Sequence, residues 1–394
     1  MISVSIGVGK NDDARRSGAD AVTQALATMP DKHADCLVVF GSSLVDQDAL
    51  MAGIKDAAPM VPMVGCSTAG EISSDGLASE GGVVVAAFSS DQLQFGTGFA
   101  THMQWNARRT GVDLAHSIHD AMEVQMTSGL FFGNVLSGGM EDVLLGLREQ
   151  VGTAIDIVAA GAADNFSYYE TSQYYNDRAF GDAMSGIGFS GRYSSASAIR
   201  HGFLPVGASR KITKATENVI EEIDGMPAIR LYEDYFGEQY ATMLSEGKLT
   251  AFASSYPLGI YVDERSKPVL RSPLRVDVTS GHIICGGSVK TGSALRLMIS
   301  DKQQVVSTAR DAARELMDKL GGKKPKIVFM FSSSSRKKIL GHSAPREVRA
   351  VQEEIGLDVP LLGFYSYGEC VGSGNENGSM VFHNGSVMLF AIAE

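Results

Sequence analysis

The sequence predicts an α/β protein made of internally repeated strand–helix–strand units, which form two packed halves with mixed sheets. Two observations lead to this class. Short apolar runs are followed at once by glycine-rich turns, as expected where strands end sharply. The same order of run, helix, run and turn also occurs three times along the 394 residues. A chain of this length exceeds one ordinary core, so repetition or several domains are expected.

The first and last copies of the repeat are the most alike. In the first copy, the apolar run 36–40 leads through a polar loop and a helix to a second run and the turn 65–71. In the last copy, the run 326–331 leads in the same way to the turn 363–369. A weaker middle copy lies within residues 130–165. Three related units are therefore predicted.

Two local patterns make more detailed predictions. Residues 302–320 carry apolar side chains three and four positions apart, which predicts a helix with one buried face that ends at Gly321-Gly322. Near the C-terminus, Asn384-Gly385 stands between two apolar runs. Because both residues of a tight turn need positive φ, which Asn and Gly tolerate, this pair predicts a two-residue β-hairpin.

The composition argues against several classes of protein. A net charge of −11 repels phosphate backbones and anionic lipid surfaces, so nucleic-acid binding is not expected. The N-terminus alternates like a strand, and no apolar run reaches the roughly 20 residues that a membrane helix needs, so membrane insertion is not expected. Cys36, Cys66, Cys285 and Cys370 are widely spaced, which favours reduced thiols and a cytoplasmic protein.

Several segments together resemble the FIST family of bacterial sensory proteins. The turn Gly-Phe-Tyr-Ser-Tyr-Gly-Glu within the last copy is the most specific of them, and the others lie at 65–72, 213–228 and 256–259. The resemblance covers essentially the whole chain. It implies a FIST N-terminal domain over 1–225 and a FIST C-terminal domain over 226–394.

The resemblance also implies a function. A FIST protein is expected to be a sensory input module for signal transduction, which binds a small ligand, proposed to include amino acids, in a cleft between the halves. It passes the signal to a separate partner such as a histidine kinase, a chemotaxis receptor or a cyclic-di-GMP enzyme, and it is not an enzyme. In one respect the chain differs from the family. Ser333 stands where many members carry a cysteine, which removes any thiol-dependent role of that loop.

The two Gly-Glu turns form the predicted site, because ligands in α/β proteins bind at the carboxyl ends of strands and glycine lets the backbone approach them. Carboxylates such as Glu71 and Glu369 suit an ammonium group, and Arg336 suits a carboxylate through two parallel hydrogen bonds. An alternative stays open, in which the glutamates cap backbone amides and Cys66 is a small buried apolar residue. The predicted ligand-binding residues are Cys66, Ser67, Thr68, Glu71, Ser333, Arg336, Tyr365, Ser366, Tyr367 and Glu369.

Two further interpretations stay open. One branch of the family is described as a haem-binding nitric-oxide sensor that regulates a histidine kinase. If haem binds here, His342 and His383 are the candidate ligands. The other interpretation is a hydrolase that uses Ser67 or Cys66. The sequence contains no G-x-S-x-G or H-E-x-x-H signature, and neither catalytic residues nor a metal site are predicted from it.

Overall fold

The computed structural model describes residues 1–77, 81–261, 267–372 and 380–394. It confirms the predicted α/β class, the three repeated units and the mixed sheets. Within these ranges, no helix combines the length and the apolar character needed to cross a membrane.

Three units with the same order of elements follow one another along the chain. Unit 1 consists of β1 (Ile2–Gly9), α1 (Ala14–Ala27), β2 (Cys36–Ser42), α2 (Gln47–Ala57), β3 (Met63–Thr68), β4 (Glu71–Ser73), β5 (Gly76–Leu77) and β6 (Val83–Ser90). Unit 2 consists of β7 (Leu93–Thr101), α3 (Met103–Asp120), β8 (Ser128–Gly133), α4 (Met140–Val151), β9 (Asp156–Gly161), β10 (Gln173–Tyr175), β11 (Arg178–Phe180) and β12 (Ala183–Gly191).

Unit 3 begins with β13 (Ser194–Arg200) and is then interrupted by an inserted domain. That domain consists of β14 (Leu204–Thr216), β15 (Val219–Ile223), β16 (Met226–Pro227), α5 (Arg230–Phe236), α6 (Glu238–Ser245), α7 (Leu249–Ala253), β17 (Leu258–Tyr261), β18 (Val269–Arg271), β19 (Pro273–Asp277), β20 (His282–Cys285) and β21 (Ala294–Ile299). Unit 3 resumes with α8 (Lys302–Leu320), β22 (Pro325–Ser333), α9 (Ser334–Leu340), α10 (Ala344–Ile355), β23 (Leu361–Ser366), β24 (Glu369–Gly372), β25 (Val381–His383) and β26 (Val387–Ala393).

Each unit is built on a pair of parallel strands that are buried on both faces. In unit 1 every residue of β2 is buried, which explains why the run is apolar throughout and does not alternate. The helix α2 connects β2 to β3. It begins where the Asp46 side chain accepts a hydrogen bond from the Ala49 N–H at 2.9 Å, and it packs on the sheet through the buried Leu50 and Ile54.

The three sheets share one strand order, and each contains a hairpin from another unit. The orders are β1-β6-β2-β3-β10-β11, β7-β12-β8-β9-β24-β25 and β13-β26-β22-β23-β4-β5. Unit 2 contributes β10-β11 to the sheet of unit 1, unit 3 contributes β24-β25 to that of unit 2, and unit 1 contributes β4-β5 to that of unit 3. This cyclic exchange defines a pseudo-threefold axis.

One phenylalanine from each unit meets at this axis. Phe40, Phe132 and Phe331 occupy the same position in β2, β8 and β22, and all three are fully buried. Their ring centroids lie 5.1, 5.9 and 6.1 Å apart in largely edge-to-face pairs, a favourable geometry for aromatic rings. This shared core makes the carboxyl ends of the three parallel strand pairs converge at one end of the axis.

The inserted domain has its own sheet and its own apolar core, which includes Ile220, Tyr232 and Leu295. It also packs against the hairpin that unit 3 contributes to unit 2. The Arg271 guanidinium donates to the carbonyl of Phe382 at 2.6 Å. The position of the inserted domain is therefore coupled to the β24-β25 hairpin.

Of the two detailed predictions, one is confirmed and one is wrong. The helix predicted at 302–320 is α8, and Gly321 follows it with a φ of 61°. The hairpin predicted at Asn384-Gly385 does not form, because β25 pairs with β24 whereas β26 pairs with β13 and β22. The chain crosses between two sheets at this point. The Asn384 side chain is buried there, donating to the Tyr367 carbonyl at 2.9 Å and accepting from the Ser272 N–H at 3.0 Å.

Candidate functional site

The structure brings the two predicted turns, 65–71 and 363–369, together at the pseudo-threefold axis, and the turn of the middle unit joins them. Backbone hydrogen bonds link the three turns: Ala69 N–H to Tyr365 C=O (3.1 Å), Tyr365 N–H to Gly70 C=O (2.9 Å), Ala163 N–H to Ser67 C=O (3.0 Å) and Gly161 N–H to Gly368 C=O (2.8 Å). The turns therefore contact one another directly.

Glu71 and Glu369 occupy equivalent positions and are both buried. Glu71 accepts a hydrogen bond from the Thr68 hydroxyl, and Glu369 accepts from the hydroxyls of Ser366 and Ser386. Burial raises the pKa of Glu71 to about 7 and the pKa of Glu369 to about 8, although these hydrogen bonds act in the opposite direction. Both carboxyl groups hold neighbouring protein groups in place.

Gln173 is the equivalent residue of the middle unit, and it was not among the predicted site residues. It lies opposite Cys66 in the strand register, just as Glu369 lies opposite Ala160. Its side-chain oxygen accepts from the Ala183 N–H at 3.3 Å. A longer loop in front of Gln173 hides the equivalence in the sequence, and only the strand-like run Gln-Tyr-Tyr marks the position.

Arg336 is fully buried and hydrogen-bonded within the protein. Its Nε and Nη2 donate to the Glu347 carboxylate at 2.8 and 2.6 Å, while Nη1 donates to the His201 carbonyl and Nη2 also to the Val305 carbonyl, both at 2.8 Å. A ligand carboxylate would have to displace one of these acceptors. The ion pair with Glu347 therefore ties α9 to α10.

The remaining predicted residues also contact protein groups. The Ser67 hydroxyl donates to the Ala163 carbonyl and accepts from the Ser172 N–H, both at 2.9 Å. Burial raises the pKa of the Cys66 thiol, which disfavours the nucleophilic thiolate. The Ser333 hydroxyl lies 3.1 Å from that of Ser335.

Two tyrosines complete the predicted set. The Tyr365 hydroxyl donates to Glu347 at 3.3 Å. The Tyr367 hydroxyl donates to Asp164, and its ring stacks on Tyr168 at 4.8 Å. The ligand-binding role of the ten residues stays a prediction, and two cavities lie beside the turns.

The two histidines that were candidate haem ligands lie in different environments. His342 is exposed on the surface. His383 lies in β25, where burial, followed by the charge of Arg271, lowers its pKa to about 4. Neither histidine is among the described residues that line the two cavities beside the turns. Neither of these two cavities therefore provides the large apolar pocket next to His342 or His383 that a haem group needs.

Each unit has a crevice between the loop that follows its first parallel strand and the hairpin it receives from another unit. In unit 3 this crevice is filled. The Lys337 ammonium donates to the Ala69 carbonyl at 2.6 Å. A Cβ atom placed on Gly70 would come within 2.7 Å of the Lys337 nitrogen.

In unit 2 the crevice is open and widens against the inserted domain into a groove of about 790 Å³. This unit 2 groove is lined by the start of α3, by the loop before α4 and the first turns of α4, by the received hairpin, and by two segments of the inserted domain, 217–218 and 284–290. Its apolar wall includes Met103, Val135, Met140, Leu144, Met380 and Phe382. Its polar groups include those of Gln104, Ser137, Glu141, Asp142, Glu217, Asn218, Ser288 and Lys290.

Two polar groups distinguish the unit 2 groove. The hydroxyl oxygen of Ser137 is buried and has no hydrogen-bond partner among the described residues. The Glu141 carboxylate accepts from Arg271 Nη2 at 2.7 Å and from the Ser288 N–H at 3.1 Å, so it links α4 to the inserted domain. Neither residue was predicted. The Gly138-Gly139 pair before α4 is the sequence feature that could have indicated the groove, because it keeps the loop free of side chains.

In unit 1 the crevice is a smaller cleft of about 450 Å³. This unit 1 cleft lies between the loop after β2 and the segment that leads into the β10-β11 hairpin. Its polar lining consists of Ser43, Asp46, Gln47, Asp48, Ser67, Asp164, Ser167, Tyr169, Glu170 and Ser172. Ser67 is the predicted site residue that reaches this cleft.

Curated relatives of similar length or longer have been found in bacteria and archaea. An uncharacterized protein of Mycobacterium tuberculosis is 23% identical over 385 residues, which are 93% of this chain and 94% of that protein. An uncharacterized protein of Methanocaldococcus jannaschii is 23% identical over 301 residues, which are 72% of this chain and 57% of that protein. The chain therefore spans little more than half of the archaeal relative.

Among solved structures, cyanuric acid hydrolase from A. caulinodans covers 100% of both chains at 9% identity, with a TM-score of 0.38. A second cyanuric acid hydrolase structure gives 10% identity and a TM-score of 0.37, also over 100% of both chains. Structural similarities this weak support no conclusion about the chemistry of this chain. Its fold is established from the strand pairing alone.

Family profiles match the sequence over nearly its whole length. The FIST N domain matches residues 35–226, and the FIST C domain matches residues 228–371. The chain belongs to the FIST family, whose domains are associated with sensory signalling.

Proposed function

We propose that this protein is a sensory input module that binds a small ligand in the unit 2 groove and passes the signal to a separate signalling protein. The observation that carries the proposal is the buried Ser137 hydroxyl, which has no partner among the described residues and lines this groove. Leaving a buried hydroxyl without a partner costs about 1–3 kcal/mol. A ligand in the groove would remove this cost if the loop that ends in Gly138-Gly139 shifts enough to let it bond to Ser137.

The size and the walls of the groove suit a small ligand. Its volume of about 790 Å³ lies in the range typical of small-molecule sites, roughly 300–1,000 Å³. Such sites combine an apolar surface with a few polar groups that fix orientation. Three methionines line the groove, and their flexible side chains adapt to ligands of different shape.

The charges around the groove favour a zwitterionic ligand, and we propose an amino acid. Glu141 and Glu217 offer carboxylates for an ammonium group, while Lys290 offers an ammonium for a carboxylate. Glu217 and Lys290 are exposed at the rim, and neither makes an ion pair within the described ranges. The apolar wall would then contact the ligand side chain.

The link between Glu141 and the inserted domain supports a route for the signal. A ligand ammonium at Glu141 would compete with Arg271 and with the Ser288 N–H for the same carboxylate. Arg271 also donates to the Phe382 carbonyl in the received hairpin. Ligand binding would thus favour one arrangement of the inserted domain over another, and only such differential affinity transmits a signal.

A hydrolase is less well supported by the described residues. The Ser67 proton is directed at the carbonyl oxygen of Ala163, which is not a base. The raised thiol pKa of Cys66 disfavours a thiolate nucleophile.

Isothermal titration with the twenty common amino acids tests the proposed function. We expect at least one to bind the wild-type protein. Lys290→Ala should weaken that binding about tenfold or more, because a hydrogen bond to a charged group contributes about 1.5–3 kcal/mol. Lys302→Ala is the matched control, since Lys302 is exposed at the start of α8, outside the groove. Absence of heat with every amino acid, or equal affinity in both variants, would refute the amino-acid proposal.

A further inference from the structure

We propose that the loop 164–170 is a conformational switch, which Lys338 holds closed and which opens when the inserted domain moves away. The loop lies between β9 and β10, where the chain crosses from unit 2 into the sheet of unit 1. Four of its residues line the unit 1 cleft. The proposal rests on the proposed function only in that the inserted domain changes its position, and its tests use the protein without a ligand.

The backbone of this loop adopts an unfavourable conformation. Asn165, Phe166 and Tyr168 have φ angles of 51°, 70° and 52°. Asparagine tolerates a positive φ, but for bulky residues such as phenylalanine and tyrosine it is rare and costs free energy. Such a conformation persists only where neighbouring groups hold it, and strained residues cluster at ligand clamps and switch regions. Opening of the loop would release this strain.

Asp164 and Tyr367 hold the loop closed from one side. The buried Asp164 carboxylate accepts from the three backbone N–H groups of residues 168–170 at 2.9, 2.6 and 3.0 Å. The Tyr367 hydroxyl of unit 3 accepts from the Phe166 N–H at 2.8 Å and donates to Asp164. These four backbone N–H groups lose their acceptors when the loop opens, so their hydrogen exchange reports on its state.

Lys338 connects the closed loop to the inserted domain. It belongs to α9 of unit 3, and its ammonium lies 4.6 Å from the centre of the Phe166 ring and 5.7 Å from that of Tyr168. Aromatic faces attract an ammonium group, so Lys338 holds the two strained residues. The same ammonium donates to the hydroxyl of Ser254, which directly follows α7 of the inserted domain, at 2.7 Å. One side chain therefore joins unit 3, the inserted domain and the loop.

A shift of the inserted domain would weaken this connection. Burial lowers the pKa of Lys338 to about 8, so its ammonium is largely charged at pH 7. If Ser254 moves away, the half-buried ammonium loses its hydrogen-bond acceptor and is drawn towards water. The attraction that opposes the backbone strain of the loop is then lost. Opening would also reshape the unit 1 cleft, which the loop lines.

Hydrogen exchange at pH 7, followed by mass spectrometry of peptides that cover residues 166–170, tests the proposal. Lys338→Met removes the ammonium but keeps a long side chain, and should make the four reporting amides exchange about tenfold faster or more. Ser254→Ala removes only the acceptor in the inserted domain, and should accelerate the same amides by about threefold or more. Lys302→Met, at an exposed lysine at the start of α8, is the matched control and should leave their exchange unchanged.

The exchange of α8 should be the same in all variants, which separates opening of the loop from a general loss of stability. Unchanged exchange of the loop in Lys338→Met and Ser254→Ala would overturn the proposal. Faster exchange in Lys338→Met alone would also overturn it, because the loop would then not be coupled to the inserted domain. If Lys338→Met does not fold, Ser254→Ala alone decides. Since no ligand is added, this result is independent of whether an amino acid binds in the unit 2 groove.

Discussion

Units 2 and 3 place different residues in the same crevice, and the difference explains why one is open and the other filled. In unit 3 the strand β22 runs directly into α9, which supplies Arg336 and Lys337. In unit 2 the strand β8 is followed by a loop that ends in Gly138-Gly139. A Cβ atom on Gly138 would meet nothing within 4 Å, whereas one on Gly70 in the unit 3 crevice would meet the Lys337 ammonium at 2.7 Å.

In this repeated fold, equivalent crevices serve different roles, because the crevice of unit 3 contributes to stability and the crevice of unit 2 is open to a ligand. In unit 3 the helix α9, which supplies Lys337 to the crevice, is anchored by a fully buried ion pair between Arg336 and Glu347. The open crevice of unit 2 contains a glycine pair and the unpaired hydroxyl of Ser137. The units otherwise share one order of elements, so the segment after the first parallel strand decides which of the two roles each crevice serves.

The strongest destabilisation is expected from loss of the buried Arg336 guanidinium beside the filled crevice. Arg336→Met should lower the free energy of unfolding by about 3–5 kcal/mol, because it leaves the Glu347 carboxylate buried without its partner. Chemical denaturation followed by circular dichroism measures the change. Arg108→Met is the matched control. Its ion pair with Glu149 is solvent-exposed, so a change below about 1 kcal/mol is expected. Equal effects of the two substitutions would show that the unit 3 ion pair does not stabilise the crevice.

Glu369 of unit 3 and its counterpart Gln173 of unit 2 should differ in how they make stability depend on pH. The folded-state pKa of Glu369, about 8, lies above its ordinary value of 4.5, so between these values the folded protein holds a proton that the unfolded chain has released. The resulting stability is fully present below pH 4.5 and is lost as the pH rises through about 8. Unit 2 carries the uncharged Gln173 at the same position, so Glu369→Gln should fold.

The measurement compares denaturation curves at pH 5 and pH 7. Relative to wild type, Glu369→Gln should gain about 2–3 kcal/mol of unfolding free energy between these two pH values, at 1.36 kcal/mol per pKa unit. Glu71→Gln should gain less, because burial raises the pKa of Glu71 only to about 7. An identical pH dependence in wild type and Glu369→Gln would mean that the Glu369 carboxyl keeps its ordinary pKa in the folded protein.

Much of this architecture could be predicted from the sequence, because apolar runs, glycine turns and helical spacing are local properties. They located α8 and the convergence of the turns 65–71 and 363–369. The exchange of hairpins could not be predicted, since which sheet a short strand joins depends on contacts between units. For the same reason the pair Asn384-Gly385 predicted a hairpin turn, although the chain crosses between two sheets at this point.

The site was harder to predict than the fold. The turns were predicted to form the site because they combine glycines with Glu71 and Glu369. In the structure these two side chains are buried against hydroxyl groups. Cavities arise where side chains are small or absent, as at Gly138, and a sequence does not show which small residues face empty space. Gln173 and Ser137 stayed hidden because only the strand register and the packing identify them.

A weaker change in stability is expected when either of two serine hydroxyls with different hydrogen-bond partners is removed from the open crevices. Ser137→Ala deletes a buried hydroxyl without a partner among the described residues, so the unfolding free energy should stay unchanged or rise by up to about 1 kcal/mol. Ser67→Ala leaves the Ala163 carbonyl and the Ser172 N–H unpaired, and should lower it by about 1–2 kcal/mol. A loss of stability in Ser137→Ala equal to that in Ser67→Ala would mean that the Ser137 hydroxyl already has a partner within the protein. The main evidence that the unit 2 groove is a ligand site would then be lost.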